Sequence, residues 1–483
     1  MSSVSAVQAK KNPIVAYFED FKVLKDNPKE FWGVQIINFL DSTAYFAMLS
    51  VAMLYLRKDI GFDLKWSGYV MAGFTSFVTI SMLFSGVLGD VLGVKKSLWI
   101  SMGLKLLLSS ALLGLGLVHS IPGRQVLVVL ALLTMAPMLA LIQTVFQVAN
   151  VRFTSKRSRS AGFNLWYLFM NVGAFFAGEV IDGVRLKYKL PNAWIIGFGA
   201  ATSALALLVT MTMIHKEEQV RSADEAVDEE KKSDEPKKKA LQIVKEMVSE
   251  SAFWRFLALV GVLLGVRAVF VYIYMLMPQY WIEVMGQDAP IGLLNQINPF
   301  LIVAGLILFI PIANRWSVFR MLTVGAIFSA LSLFILVLPW NLFSPDFGRA
   351  YFRMSATFMV LLSIGEVIWS PKLSEYTAAI APKGQEGAYL GMSMMPWFIA
   401  KMAVSTMSGH MLVRWCPDGV GVKMRAGQVD FWHSPEAMWL ILGFWAISGP
   451  VIALLAEKWF TKGARWKAEE VTPAGEPAPQ AAE

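Results

Sequence analysis

Asp41, Lys105, Arg267, Glu366 and Lys401 stand well inside apolar stretches of this chain, where an unpaired charge is costly. Each would cost about 2.5–3.5 kcal/mol at the centre of a lipid bilayer on insertion scales, so all of them facing lipid would prohibit insertion. They are expected to face a wet cavity or one another. Glu366 is expected to pair with Arg267 or Lys401, and Asp41 with one of the lysines, inside a central cavity. Protonating a carboxylate breaks such a pair, which would link proton entry to a change of conformation. A static bridge that only orients helices is the competing reading for each residue. Lys105 has the weakest functional case, because a lysine at its position can snorkel toward the interface.

Other chemistries find little support. His119, His215, His410 and His433 lie at or near helix ends or in loops and form no metal-ligand spacing. No Walker-type glycine-rich lysine motif is present, so ATP is not the expected energy source. No nucleophile and base stand in a recognisable arrangement, and an enzyme is not expected. Cys416 is the single cysteine, so no internal disulfide can form.

The elements that must position these charges are membrane spans. The chain has 483 residues, 56% hydrophobic and 16% charged, which reads as an all-α polytopic membrane protein. Spans of about 20 residues are predicted at 31–56, 66–89, 97–118, 125–147, 162–184 and 192–214, then at 253–278, 290–313, 319–340, 351–374, 389–412 and 435–457. The charged stretch 215–252 separates these twelve helices into two six-helix bundles, 31–214 and 253–457. Residues 1–30 form an N-terminal segment with a surface helix over 13–30, and 458–483 form a tail rich in Pro, Ala and Glu after Glu470. No cleavable signal peptide is expected, because the residues before Phe31 are polar and charged.

The net charge of +8 sits mainly in tails and short loops, which suits orientation in a membrane and not a nucleic-acid groove. Lys95, Lys96, Arg152, Lys156, Arg157 and Arg159 fall on the side that also holds both termini, which places the termini in the cytoplasm. Glu179 and Asp182, close to Arg185, read as interfacial charges, with a role in a gate as the minority reading. Gly261-Val-Leu-Leu-Gly265 and Ala174-Phe-Phe-Ala-Gly178 carry small residues four apart and read as helix packing. Trp166, Tyr167, Tyr272, Tyr274, Trp369 and Trp397 lie in helices that would line a cavity, although each suits packing or interface anchoring better than substrate contact.

The turn after the second span reads Gly86-Val-Leu-Gly-Asp90-Val-Leu-Gly93-Val94-Lys95-Lys96. It resembles the signature loop of the major facilitator superfamily, with Val94 where an arginine is usual. Further motifs resemble those of the proton-dependent oligopeptide transporter family. They are Trp166-Tyr167-Leu-Phe-Met170-Asn171-Val-Gly173, Asn298-Pro299, Gly365-Glu366 followed by Pro371, Ala381-Pro382, and Tyr45-Phe46-Ala-Met48 followed by Leu54-Tyr55-Leu56. The resemblance implies alternating access of two bundles around a central site, driven by a proton gradient and needing no cofactor. It implies Glu366 and Asn298 as binding residues for a peptide amino terminus, and Asp41 and Glu366 as proton-coupling groups.

Departures from that family narrow the expectation. Its Glu-x-x-Glu-Arg stands here as Asn38-Phe-Leu-Asp41-Ser42, and Gln147 falls where its fourth helix carries a lysine. The cationic clamp for a peptide carboxylate is therefore altered, with Lys401 or Lys105 as a substitute cation. The expected binding set is Asn38, Tyr45, Gln147, Trp166, Tyr167, Asn171, Arg267, Asn298, Glu366, Trp397 and Lys401. The expected function is proton-coupled symport of short peptides or similar zwitterions by a monomer in a cell inner membrane. A transporter of another small organic solute or drug, or a sensor that binds without turnover, remains the alternative.

Overall fold

A computed structural model of the protein describes residues 21–215, 249–308, 317–380 and 395–462. The expected charged linker, the tail and residues 13–20 of the surface helix lie largely outside them, as do the end of the eighth span, the start of the eleventh and Ala381-Pro382. The described residues are helices joined by turns, with no strand among them. Lipid offers backbone groups no partner, and a helix satisfies them within one segment.

Twelve helices of crossing length occur among the described residues. In the first half, α1 (Lys29–Leu54) is prolonged by a π-helical turn, Tyr55–Ile60. The predicted second and third spans form one run, Leu64–Leu117, divided at Gly93 into α2 (64–92) and α3 (94–117). Gly93 has φ 76°, a left-handed conformation that explains the glycine of the signature turn. A side chain at Gly86 would meet nothing within 4 Å. Gly89 is the contact position, 3.5 Å from Val145. The half is completed by α4 (Arg124–Arg152), α5 (Lys156–Asp182) and α6 (Ala193–Met213).

In the second half, α7 is a broken helix of three segments, Ser251–Val262, Leu264–Met275 and Met277–Met285, the first two bent by 43°. Then follow α8 (Ile291–Leu308), α9 (Val318–Ile335), α10 (Phe347–Ile380), α11 (Met395–Trp415) and α12 (Pro435–Leu455).

By length and composition nine described helices could each cross a membrane, and α7 makes a tenth. Two further helices, α2 and α11, lie against each other. Gly68 abuts Gly409, Thr75 Oγ1 lies 3.4 Å from Ser405 Oγ, and Tyr69 Oη lies 2.7 Å from His410 Nε2. Polar residues that bond to a partner helix are spared lipid.

Helix contacts repeat between the halves. In the first, the run Leu64–Leu117 packs on α4 and α6, and α1 on α5 and α6; in the second, α9 packs on α10 and α12, and α7 on α11 and α12. Across the seam α2 meets α11, α5 meets α8, and α1 meets α7. Advancing each helix by six exchanges the first two of these contacts and maps the third onto itself, as two pseudo-repeats require. One apolar core runs across both halves, including Tyr55, Leu112 and Ile181 with Tyr272, Trp281 and Trp439. A second, built from Phe31, Leu98, Phe146 and Ile214, belongs to the first half alone and takes in Leu24 of the short 3-10 helix Phe21–Asp26. The halves are thus joined toward the end that carries the α1–α2 turn, called here the closed end.

Candidate functional site

Two interruptions position the second half of the site. Breaks in α7 after Val262 and Met275 set off the segment that carries Arg267 and Tyr274. In α8, Pro299 follows Asn298 inside the helix and lacks an N–H for the ladder. Asn298 Nδ2 donates to Glu366 Oε2 at 2.8 Å and to Ser363 Oγ at 3.1 Å. Two donor hydrogens of one amide therefore tie α8 to α10 and orient the Glu366 carboxylate.

Arg267 lies with its guanidinium 4.6 Å from the Trp369 ring centroid, a cation–π contact, and close enough to Glu366 for the two charges to attract. The Glu366 neighbour at hydrogen-bond distance is thus Asn298, with Arg267 in its field. Lys401 departs further from expectation: its Nζ donates to Tyr45 Oη at 3.1 Å, across the seam, and stands 5.7 Å from that ring's centroid. Tyr167 and Tyr274 are both within electrostatic reach of Glu366. Tyr45, Tyr167, Arg267, Tyr274, Asn298, Glu366 and Lys401 are all half-buried. Because residues of each half interact with residues of the other, these groups line the cleft between halves and do not face lipid.

Several sequence candidates lie elsewhere. Asp41 pairs with Lys105, as one of the two expected lysines, but side-chain exposures of 0% and 3% bury the pair between α1 and α3 and not in the cleft. Lys105 therefore does not snorkel. Asn38 is buried and donates from Nδ2 to the Trp166 carbonyl at 2.9 Å, tying α1 to α5. Asn171 is buried and donates to the Tyr167 carbonyl in its own helix at 2.9 Å. Trp166 packs against the first-half core, and Gln147 is exposed on α4. Tyr272 and Trp369 are core residues. Trp397 and Asp90 lie in helices, and their side chains are outside the described set. Lys95 is partly buried and Lys96 exposed beside Gly93.

The closed end holds residues that the sequence reading placed at an interface. Asp182 accepts from the backbone N–H groups of Gly292 and Leu293 at 2.7 and 2.8 Å, so a carboxylate of α5 caps the N-terminus of α8. Glu179 accepts from Gln296 Nε2 at 2.9 Å, and Gly178 and Gly292 let the two backbones touch. Of the two spacings read as packing, Gly178 and Gly265 make close helix contacts, whereas Gly261 meets nothing within 4 Å. Arg57 pairs with Asp418 and stands 3.9 Å from Glu283, and Lys58 donates to Gln287 Oε1. The position of Asp182 before a tight turn, opposite the start of another span, was the signal that could have singled it out. No group of three or more His, Cys, Asp or Glu that could hold a metal occurs among the described residues.

The sequence pattern of the Major Facilitator Superfamily matches residues 31–405. No curated protein matches the chain. Among solved structures, a crystal structure of a peptide transporter, POT, is similar at 16% identity and TM-score 0.67, covering 90% of this chain and 96% of its own. A POT family transporter in complex with 5-aminolevulinic acid is similar at 15% identity and TM-score 0.64, covering 91% of this chain and 100% of its own. A D-xylose-proton symporter reaches 14% identity and TM-score 0.65, covering 90% of this chain and 98% of its own. At these identities the likeness is one of fold.

Proposed function

The chain belongs to the Major Facilitator Superfamily, a superfamily of transporters and not of enzymes, and we propose that it is a proton-coupled symporter of short peptides or similar small zwitterions. The observation that carries this reading is the Asn298–Glu366 pair with Arg267 beside it, Tyr167 of the other half within electrostatic reach, and a Lys401–Tyr45 contact that spans the seam. A carboxylate held by an amide suits an ammonium group when ionised and a proton when not. Lys401 suits the other end of a zwitterion, a carboxylate, and its bond to Tyr45 puts that cation where both halves can sense its occupancy. Solute and proton would then bias one equilibrium between inward- and outward-open states.

The bundles 31–214 and 253–457 are the bodies that rock in this reading, with 215–252 as the charged connection. Both termini face the cytoplasm, the closed end faces outward, and the protein works as a monomer in a cell inner membrane without a cofactor. Lys95 and Lys96 hold the α2–α3 turn on the cytoplasmic side.

One observation favours a second reading. Asn38 is packed between α1 and α5, and neither it nor buried Ser42 offers the cleft a charge. That suits a small organic solute other than a peptide, on the same site and with the same coupling.

The Glu366→Gln variant tests the coupling role. Proton-driven uptake should fall at least about tenfold, while exchange of solute across the membrane without a gradient stays within about threefold of wild type. Full gradient-driven uptake at normal expression would remove Glu366 from the mechanism.

A further inference from the structure

A cavity of about 210 Å³ opens at the closed end, on the seam between the halves and apart from the cleft. Its wall includes Lys58, Arg185, Lys189 and Asn192 from the first half and Gln287 and Asp288 from the second. Three cations face one acid there. The neighbouring Arg57 is matched by Asp418 and Glu283. Lys58 and Arg185 instead direct donors at neutral oxygens: Lys58 at the Gln287 side chain, Arg185 at the carbonyls of Gln287 and Ala289, 2.9 and 3.0 Å away. The carboxylate nearest Arg185 in its own helix, Asp182, already accepts from the α8 N-terminus.

Lys189 supplies an independent sign. It has φ 51° and is the one non-glycine residue with positive φ among those described. Such a backbone costs about 1–2 kcal/mol and tends to persist where function requires it. Here it places a third cation on this wall, and Lys189 makes no ion pair among the described residues. The volume is below the roughly 300 Å³ at which sites for drug-sized ligands begin.

We propose that this cavity binds a small oxyanion or carboxylate, held by Lys58, Arg185 and Lys189. Because its wall comes from both halves, the site exists only while this end is shut. An anion that binds only that state stabilises it. The site would make the closed end sensitive to anions independently of the solute in the cleft.

The test uses the full-length protein in nanodiscs of zwitterionic lipid, titrated with inorganic phosphate against chloride at constant ionic strength, with thermal stability as readout. Wild type should show a saturable rise in Tm. Lys189→Gln should need about tenfold more phosphate, as expected for losing one charged hydrogen bond, with Tm unchanged in its absence. Lys189→Gly relieves the backbone and removes the same cation, so it should be at least as stable as wild type and equally insensitive to phosphate. An unsaturable response in wild type, or a response in either variant equal to that of wild type, overturns the proposal. Repeating the titration with phosphatidylglycerol in the nanodiscs separates the sources. An unchanged response assigns the site to a soluble anion, and a response that weakens as the lipid is added assigns it to an anionic headgroup.

Discussion

Glu366 and Asp41 are both carboxylates inside helices, and their surroundings give them different tasks. Glu366 is half-buried, oriented by Asn298 and open to the cleft, whereas Asp41 is sealed against Lys105. Removing one partner of a buried pair leaves an uncompensated charge, so Asp41→Asn should lower stability by about 3–5 kcal/mol. The double variant Asp41→Leu with Lys105→Met should recover most of that loss, because an apolar pair needs no compensation. Thermal melts and detergent-stable yield measure both. A double variant that is folded but inactive would restore a coupling role to Asp41.

Lys401 leads to a prediction on specificity. Lys401→Met should weaken uptake of a peptide with a free carboxylate by about tenfold or more, and that of its amide much less, since a charged hydrogen bond is worth about 1.5–3 kcal/mol. Equal losses for both would contradict the assignment. The five charges inside apolar stretches are legible in the sequence, because burying a charge is costly enough to be visible as a rarity. Their partners were less legible. Which acid meets which base depends on helix rotation, and a turn of 100° per residue moves a side chain from cleft to core. That is why Asn38 and Asn171, polar and on the expected helices, prove to be packing residues.

At the scale of elements, the contact of α5 with α8 is the part of the closed end most sensitive to size. A side-chain carbon at Gly292 would lie 2.0 Å from the Gly178 carbonyl oxygen, and one at Gly178 2.3 Å from Gln296. Gly292→Val should therefore disfavour closure by about 1–3 kcal/mol, roughly fivefold to a hundredfold in the closed-to-open ratio. Distances between spin labels at this end of α5 and α8 should lengthen. Asp182→Ala removes the cap on α8 and should disfavour closure by about 0.5–2 kcal/mol, lengthening the same distances less. Hydropathy located most spans to within a few residues. It did not foresee that α2 and α3 run together through Gly93, that α7 is broken, or that α2 and α11 pair Tyr69 with His410. Those features come from pairing between distant helices, which a window along the chain does not contain.

At the scale of the whole molecule, the hydrogen bonds named between the halves among the described residues lie toward the closed end, from Lys401–Tyr45 in the middle to Arg57–Asp418 at the rim. The first-half core beside Phe31 and Phe146 is confined to its own bundle. This is the geometry of a transporter shut at one end, with the cleft approached from the other. Sequence conveyed the two-bundle plan well, because the charged stretch and the signature turn are local. The nature of the solute is harder to read, since it rests on a few half-buried groups contributed by six helices.

The central claim is that solute moves with protons through this cleft. Purified protein in proteoliposomes, offered a mixed set of labelled di- and tripeptides with and without an inward proton gradient, tests it directly. Accumulation above equilibrium only with the gradient is the predicted result. Peptide binding without gradient-driven accumulation, in protein that is folded and correctly inserted, would contradict it.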